Sequence, residues 1–214
     1  MAKLRVHNLA TSLDGFAAGP DQSLENPLGV GGEDLHTWFW KTAFGKDMHG
    51  DGAAGEPDET GVDNDYLLRG VEGIGATIMG RNMFGPVRGP WPDESWTGWW
   101  GPNPPYHHPV FVRTHYPRPS LEMEGGTTFH FVDDDDETVL AKAVEAAGGL
   151  DVRLAGGAAT VRAYLAKGLV DELHLPISPI LLGGGERPLD GIQGYVVSKV
   201  EPGEGAVHYT LVRG

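Results

Sequence analysis

The chain has 214 residues, 40% of them apolar, and a net charge of −14. That length supports a substantial core. The charge argues against nucleic acid and anionic membranes as main partners, while leaving room for an anionic ligand held by local arginines. With no cysteine, disulfides, thiolate metal sites and cysteine nucleophiles are excluded. No run approaches a membrane-spanning length, and the opening Met1-Ala2-Lys3-Leu4-Arg5 leads into a strand, so the expected location is cytoplasmic. In chain order, residues 4–11 alternate and predict a strand, with Leu4 and Val6 on one face and Arg5 and His7 on the other. Ser12-Leu13-Asp14-Gly15 ends it in a turn. Residues 34–44 predict a short helix with Leu35, Trp38, Phe39 and Thr42 sharing a face; Glu33 and Asp34 stand at its positive end.

Residues 45–61 are acidic, rich in breakers and almost free of apolar side chains, and predict a flexible surface loop. Its Asp47, His49 and Asp51 give no ligand geometry on such a stretch. A helix over 63–70 follows, with Tyr66, Leu67 and Val71 as its apolar side, and then a buried strand at 76–79. Gly80-Arg81 after that strand offers backbone N–H groups and a guanidinium to an anion; a surface arginine in a turn is the plainer alternative. Residues 91–109 form a loop dense in tryptophan and proline. Trp91, Trp96, Trp99 and Trp100 fall within ten positions, too much aromatic surface for water, so the loop is expected to pack on the body or on another subunit. His107 and His108 are adjacent, and on a strand they would point to opposite faces, which disfavours a joint metal site with His115.

Strands are predicted at 110–112, ending in Arg113-Thr114, and at 127–132. The acidic run Asp133 to Asp136 directly precedes a helix over 137–147 and reads as N-cap and dipole compensation. A strand at 152–155 runs into Gly156-Gly157 and a helix over 158–167, which Gly168 stops. A strand, a diglycine and a helix start gather free N–H groups at Ala158, Ala159 and Thr160, a geometry that suits a phosphate but also describes an ordinary turn. Residues 171–178 predict a strand in which Pro176 marks an edge or bulge. Two last strands, at 195–201 and 206–212, predict an antiparallel pair. Strands alternating with helices imply an α/β fold: a largely parallel sheet with helices on both faces and an antiparallel C-terminal edge.

Four segments, in this order and spacing, resemble the dihydrofolate reductase superfamily. They are Ala10-Thr11-Ser12-Leu13-Asp14-Gly15-Phe16, Ile78-Met79-Gly80-Arg81-Asn82-Met83-Phe84, Val112-Arg113-Thr114, and Gly156-Gly157-Ala158 through Val170-Asp171-Glu172-Leu173. The chain is most similar to the reductase (C-terminal) domain of the bacterial riboflavin-biosynthesis bifunctional protein and its stand-alone relatives. The similarity covers nearly the whole chain and implies one dihydrofolate reductase-like, three-layer domain over 1–214. It implies NADPH as cofactor, a small heterocyclic substrate of the pteridine or ribosylaminopyrimidine type, and a homodimer. By the same resemblance, the turn holding Ser12 borders the nicotinamide and substrate. Gly80, Arg81 and the helix start at Gly156, Gly157, Ala158, Ala159 and Thr160 correspond to pyrophosphate clamps. Arg113 and Thr114 fall where the ribose and its 2′-phosphate are held, and Leu182-Gly183-Gly184 where the chain closes over the substrate end.

The chain departs from the pattern at Met83, which fills the slot of a phosphate-binding threonine. It also lacks the cysteine motif of the riboflavin-pathway deaminase, so deaminase activity is not expected. Asp34 is the candidate for proton relay or ring recognition, with Asp14 second; an acid against an apolar tryptophan wall would suit proton donation. Two other readings stay open: a nucleotide-binding protein without turnover, and an interaction module built on the tryptophan-rich loop.

Overall fold

A computed structural model describes residues 2–49, 60–85 and 88–214. In chain order the elements are β1 (Leu4–Val6), β2 (Thr11–Ser12), a 3-10 turn (Gly32–His36), α1 (Thr37–Trp40), α2 (Ala43–His49), α3 (Val62–Val71), β3 (Ile74–Gly80), α4 (Arg81–Phe84), β4 (Pro109–Arg113) and β5 (Leu121–Glu122). A second 3-10 turn (Glu124–Gly126), β6 (Thr128–Val132), α5 (Asp136–Ala146), β7 (Asp151–Gly156), α6 (Ala158–Ala166), β8 (Glu172–Ser178), β9 (Tyr195–Pro202) and β10 (Val207–Arg213) complete it. The chain divides into two compact units, one of Met1–Val6 with Gly73–Asp171, the other of His7–Glu72 with Glu172–Gly214.

The first unit is a sheet in the order β5-β6-β4-β3-β7-β1. Every pairing in it is parallel except β5 against β6. Alternation along the strands divides the side chains between two faces. Val110, Val112, Phe129 and Phe131 pack with Met79 and Phe84, and Trp91, Trp96 and Trp100 cover that cluster. The tryptophan-rich loop therefore packs on the body of this unit, and its polar edges are satisfied there. Trp96 Nε1–H donates to the Phe84 carbonyl (2.9 Å) and Trp91 Nε1–H to that of Tyr116 (2.6 Å). His107 and His108 are bound apart from one another, His107 to the Gly125 carbonyl and His108 to the Thr77 hydroxyl, each at 2.8 Å.

Helix ends follow the sequence signals closely. Asp135 caps α5 by accepting the Thr138 amide at 2.8 Å. Helix α6 ends where Gly168 takes φ 64°, with Gly168 N–H on Leu165 and Leu169 N–H on Tyr164, the paired closure that a left-handed glycine permits.

The second unit holds β8 against β10 and β10 against β9, both antiparallel, with β2 parallel to β8. Four expectations change here. Residues 4–11 are two short strands, because Asn8 takes φ 59° and breaks the extended run. The helix expected over 34–44 is a 3-10 turn and α1, followed by a separate α2: the Thr42 hydroxyl donates to the Phe39 carbonyl and accepts the Gly45 amide, which restarts the helix. Helix α2 also takes residues 45–49 of the stretch expected as loop; residues 50–59, including Asp51, lie outside the described residues. Finally, Pro176 marks no edge, since β8 has β10 on one side and β2 on the other, the β2 pairing starting one residue later at Ile177.

Candidate functional site

In the first unit, parallel strands β4, β3 and β7 end side by side. Gly80 stands opposite Arg113, and Met79 opposite Gly156. Gly156 has φ 145°, a conformation that favours glycine, and the sulfur of Met83 sits where it would crowd a side chain at this position, at 3.2 Å. Gly80 is tight for another reason: a Cβ there would collide with the Thr160 hydroxyl. Gly157 faces open space. It caps α6 without a side-chain bond, so the helix presents the first-turn amides of Ala158, Ala159 and Thr160 beyond a gap in the protein surface. The structure thus brings together Gly80, Met83, Gly156, Gly157 and Thr160. Met83 contributes packing against the diglycine and no hydrogen-bond donor.

The two arginines at these strand ends differ. Arg113 is ion-paired with Asp136, which also takes Lys167 at 2.9 Å. Thr114 is buried and its hydroxyl accepts the Tyr116 amide at 3.1 Å. The expected 2′-phosphate ligands are therefore committed within the chain: the guanidinium charge is balanced, and the hydroxyl closes a turn. Arg81 has no such partner among the described residues. Its Nε and both terminal nitrogens are buried without a hydrogen bond, and its guanidinium carbon lies 3.0 Å from the centre of the Trp91 ring. Arg118 lies 4.1 Å from the same ring centre; one of its nitrogens donates to the Trp96 carbonyl at 2.7 Å and Nη1 is buried and unpaired. Burial first, then the charge of Arg118, pushes Arg81 down to about 10, so it stays cationic at neutral pH. Two guanidiniums share one aromatic ring; Glu94 and Asp93 act on Arg118 by charge, while Arg81 has no ion pair among the described residues. Arg118 gave no signal in the sequence, because its meaning comes from the fold that carries it to Trp91.

In the second unit the turn 12–15 and the loop 180–187 are laced together by one carboxylate. Asp14 Oδ1 accepts the Ser12 hydroxyl (2.5 Å) and the Leu182 amide (3.1 Å), and Oδ2 accepts the Gly183 amide (2.7 Å). The Ser12 hydroxyl in turn accepts the Phe16 amide at 3.0 Å, and Leu13 N–H donates to the Ile180 carbonyl at 2.9 Å. Gly183 takes φ 70°, and Gly184 faces open space.

The Ser12 bond above all, with the two loop amides, holds the Asp14 carboxyl down to about 2 against the opposing push of burial. Asp14 is thus an ionised acceptor at neutral pH, tied to both loops, and the Ser12 hydroxyl is used inside the turn. Asp34 lies in the exposed first turn of Gly32–His36 and its carboxylate has no partner among the described residues; Trp38 is buried beneath, packed with Leu67 and Ala206. The tryptophan wall expected beside Asp34 is therefore turned into the core. His36, which sequence reasoning passed over, is held down to about 4 by burial and has an unpaired buried Nδ1. Leu13 and Leu181 are 64% and 72% exposed on the two laced loops, an apolar offering that only the tertiary pairing reveals.

The family model described as RibD C-terminal domain matches residues 5–201. Among curated proteins none matches the chain. Among solved structures, a putative riboflavin biosynthesis protein from Shewanella sp. PV-4 is similar, with TM-score 0.61 and 23% identity over 100% of this chain and 99% of that one. A pyrimidine reductase-like protein from Corynebacterium diphtheriae matches with TM-score 0.52 and 15% identity, covering 100% and 92%. A diaminohydroxyphosphoribosylaminopyrimidine deaminase/5-amino-6-(5-phosphoribosylamino)uracil reductase from Thermotoga maritima matches with TM-score 0.56 and 14% identity, covering 100% of this chain and 57% of that one. The chain thus spans little more than half of the Thermotoga protein and 58% of RibD from Acinetobacter baumannii. At these identities the likeness concerns the fold.

Proposed function

The chain belongs to the RibD C-terminal domain family, and from that premise we propose that it is an NADPH-dependent reductase of a small conjugated heterocycle, of the ribosylaminopyrimidine or pteridine kind. The observation that carries the proposal is the unpaired guanidinium of Arg81, the residue after Gly80, whose strand end meets Thr160 of α6, a helix with no side-chain cap. Unpaired buried guanidinium nitrogens cost free energy. A phosphate supplies what they lack, and Arg118 adds the second charge that favours a phosphate dianion.

NADPH, when bound, supplies hydride. The chain's own part is to hold and orient. Arg81, Arg118 and the α6 amides of Ala158, Ala159 and Thr160 bind phosphate, Gly157 leaves room for it, and Asp14 fixes the loop carrying Leu182, Gly183 and Gly184 as the surface offered to substrate. Asp34, exposed and unpaired, is the carboxyl left for ring recognition or proton relay once Asp14 is committed.

The test is a thermal-shift titration with NADPH and NADH on the native protein, Arg81→Gln and Arg113→Gln. A ligand at a hundred times its Kd stabilises the native state by about 2.7 kcal/mol. NADPH is expected to stabilise the native protein more than NADH. Arg81→Gln should weaken NADPH at least tenfold, since a charge-assisted pair contributes about 1.5–3 kcal/mol, while Arg113→Gln should leave NADPH affinity within a factor of about three. Equal binding of NADPH by the native protein and Arg81→Gln would refute the assignment. Binding without NADPH oxidation across a panel of such heterocycles would favour a nucleotide-binding protein without turnover.

A further inference from the structure

The second unit contains a buried single file of titratable groups that the reductase reading does not use. Asp63 on α3, His208 on β10 and His174 on β8 are all fully buried. The Asn8 amide meets His174 Nδ1 at 3.2 Å, His174 Nε2 meets His208 Nδ1 at 2.9 Å, and His208 Nε2 meets Asp63 Oδ1 at 2.6 Å. The Gly205 amide closes the far end on Asp63 Oδ2 at 2.7 Å.

An amide N–H can only donate, so His174 Nδ1 must be bare and its proton sits on Nε2. That proton fills His208 Nδ1, which leaves the proton of His208 on Nε2, pointing at an ionised Asp63. Donors and acceptors therefore match from end to end in one protonation state only: one carboxylate and two neutral imidazoles. Tyr66 locks the array in place, its ring stacked 4.3 Å from both imidazoles.

One more proton leaves two donors facing each other. Held on His174, that proton stands at Nδ1, opposite the Asn8 N–H. That link is the longest of the four, and Asn8 is the residue held at φ 59° between β1 and β2. A side chain at Gly70 on α3 would collide with that of Asn8, so the glycine leaves room for it. We infer that Asp63, His208 and His174 form a proton-sensitive latch on residues 7–10: the neutral imidazoles hold the Asn8 amide, and uptake of one proton in mild acid releases it and loosens the approach to Ser12 and Asp14.

The charged and titratable groups facing the file come from every side. Tyr66 and Arg69 belong to α3. His7 lies 5.5 Å from the His174 ring and is bonded to Glu172 at 2.8 Å. Lys199 and Glu201 reach Tyr66 from β9, and Glu204 caps α3 beside Asp63. Burial first, then His7, His208 and Arg69, hold His174 far below the usual imidazole range. The closed latch thus refuses the proton, and the open one, with an ordinary imidazole pKa of about 6.5, accepts it. The closed state is fully favoured above that pH and weakens as pH falls below it.

Amide hydrogen exchange on the native protein from pH 8 to pH 5 tests this. Corrected for intrinsic exchange, protection of the Asn8 amide should fall about tenfold per pH unit below about 6.5, while that of Val161, in α6 of the other unit, stays constant. Protection at Asn8 that is flat across this range, or that falls in step with Val161, would overturn the latch. Nitrogen-15 imidazole shifts at pH 8 should show a bare Nδ1 and a protonated Nε2 on both His174 and His208; the opposite tautomer on either ring would also overturn it. Asp63→Asn cannot accept from both His208 and Gly205, so it should expose the Asn8 amide at pH 8, and full protection there in a folded variant would count against the latch.

Discussion

Gly80→Ala separates packing from ligand approach at the end of β3. Gly80 has φ −77° and ψ 155°, ordinary extended backbone, so alanine meets no backbone strain there. The cost is steric: the new Cβ would fall well inside contact with the Thr160 hydroxyl and 3.3 Å from Thr160 Cβ. A helical threonine has two accessible χ1 wells, so the low end of the cost is turning that hydroxyl away and the high end is prising α6 off the strand. Overpacking of this kind costs about 1–3 kcal/mol, or roughly 2–4 °C of Tm per kcal/mol for a chain of this size. Thr160→Ala removes the obstructing oxygen and keeps a good helix former. In the double variant at least about 1 kcal/mol should return, well above the ~0.3–0.5 kcal/mol within which independent changes add. Urea unfolding of the four proteins, followed by circular dichroism without ligand, measures the cycle. A Gly80→Ala protein as stable as the native one, or two changes that simply add, would refute the packing account.

Two further outcomes are expected. Asp14 sits below its ordinary 3.8 in the folded chain, at about 2, so the tie it makes is present above about pH 4 and lost as pH falls through the interval between those values. Gly183 amide protection should be constant from pH 8 to pH 4 and fall below it. Asp14→Asn should lose that protection already at pH 7, because an amide offers one acceptor where the loop needs two; a protected Gly183 in that variant would contradict the role. A homodimer, proposed from the family resemblance, has a candidate face on β9, where Val196, Val197 and Val200 are 51%, 52% and 51% exposed. Val197→Lys should halve the mass seen by light scattering after size exclusion, and a dimer of unchanged mass would remove β9 from consideration.

The chain's own pattern determined most strands of the sheet and the two helices α5 and α6. Alternation and buried runs gave β3, β4, β6 and β7, the diglycine and Gly168 bounded α6, and the acidic run supplied the cap of α5. Those features are local: periodicity, capping and glycine's freedom at positive φ act within a few residues, so they can be read from neighbours alone. Which charged group is spent and which is free was decided only by tertiary structure. Arg81 and Arg113 look alike in sequence, each following a strand, yet Asp136 arrives from 23 residues away to neutralise one, while the other meets Trp91 and a second guanidinium. Asp14 looked like an acid and became an acceptor, because Leu182 and Gly183 reach it across 168 and 169 residues. Asp63, His174 and His208 are unremarkable in the chain and form one file in the core. Charge and protonation depend on what lies within a few ångströms in space, and that distance carries no trace in the order of the residues.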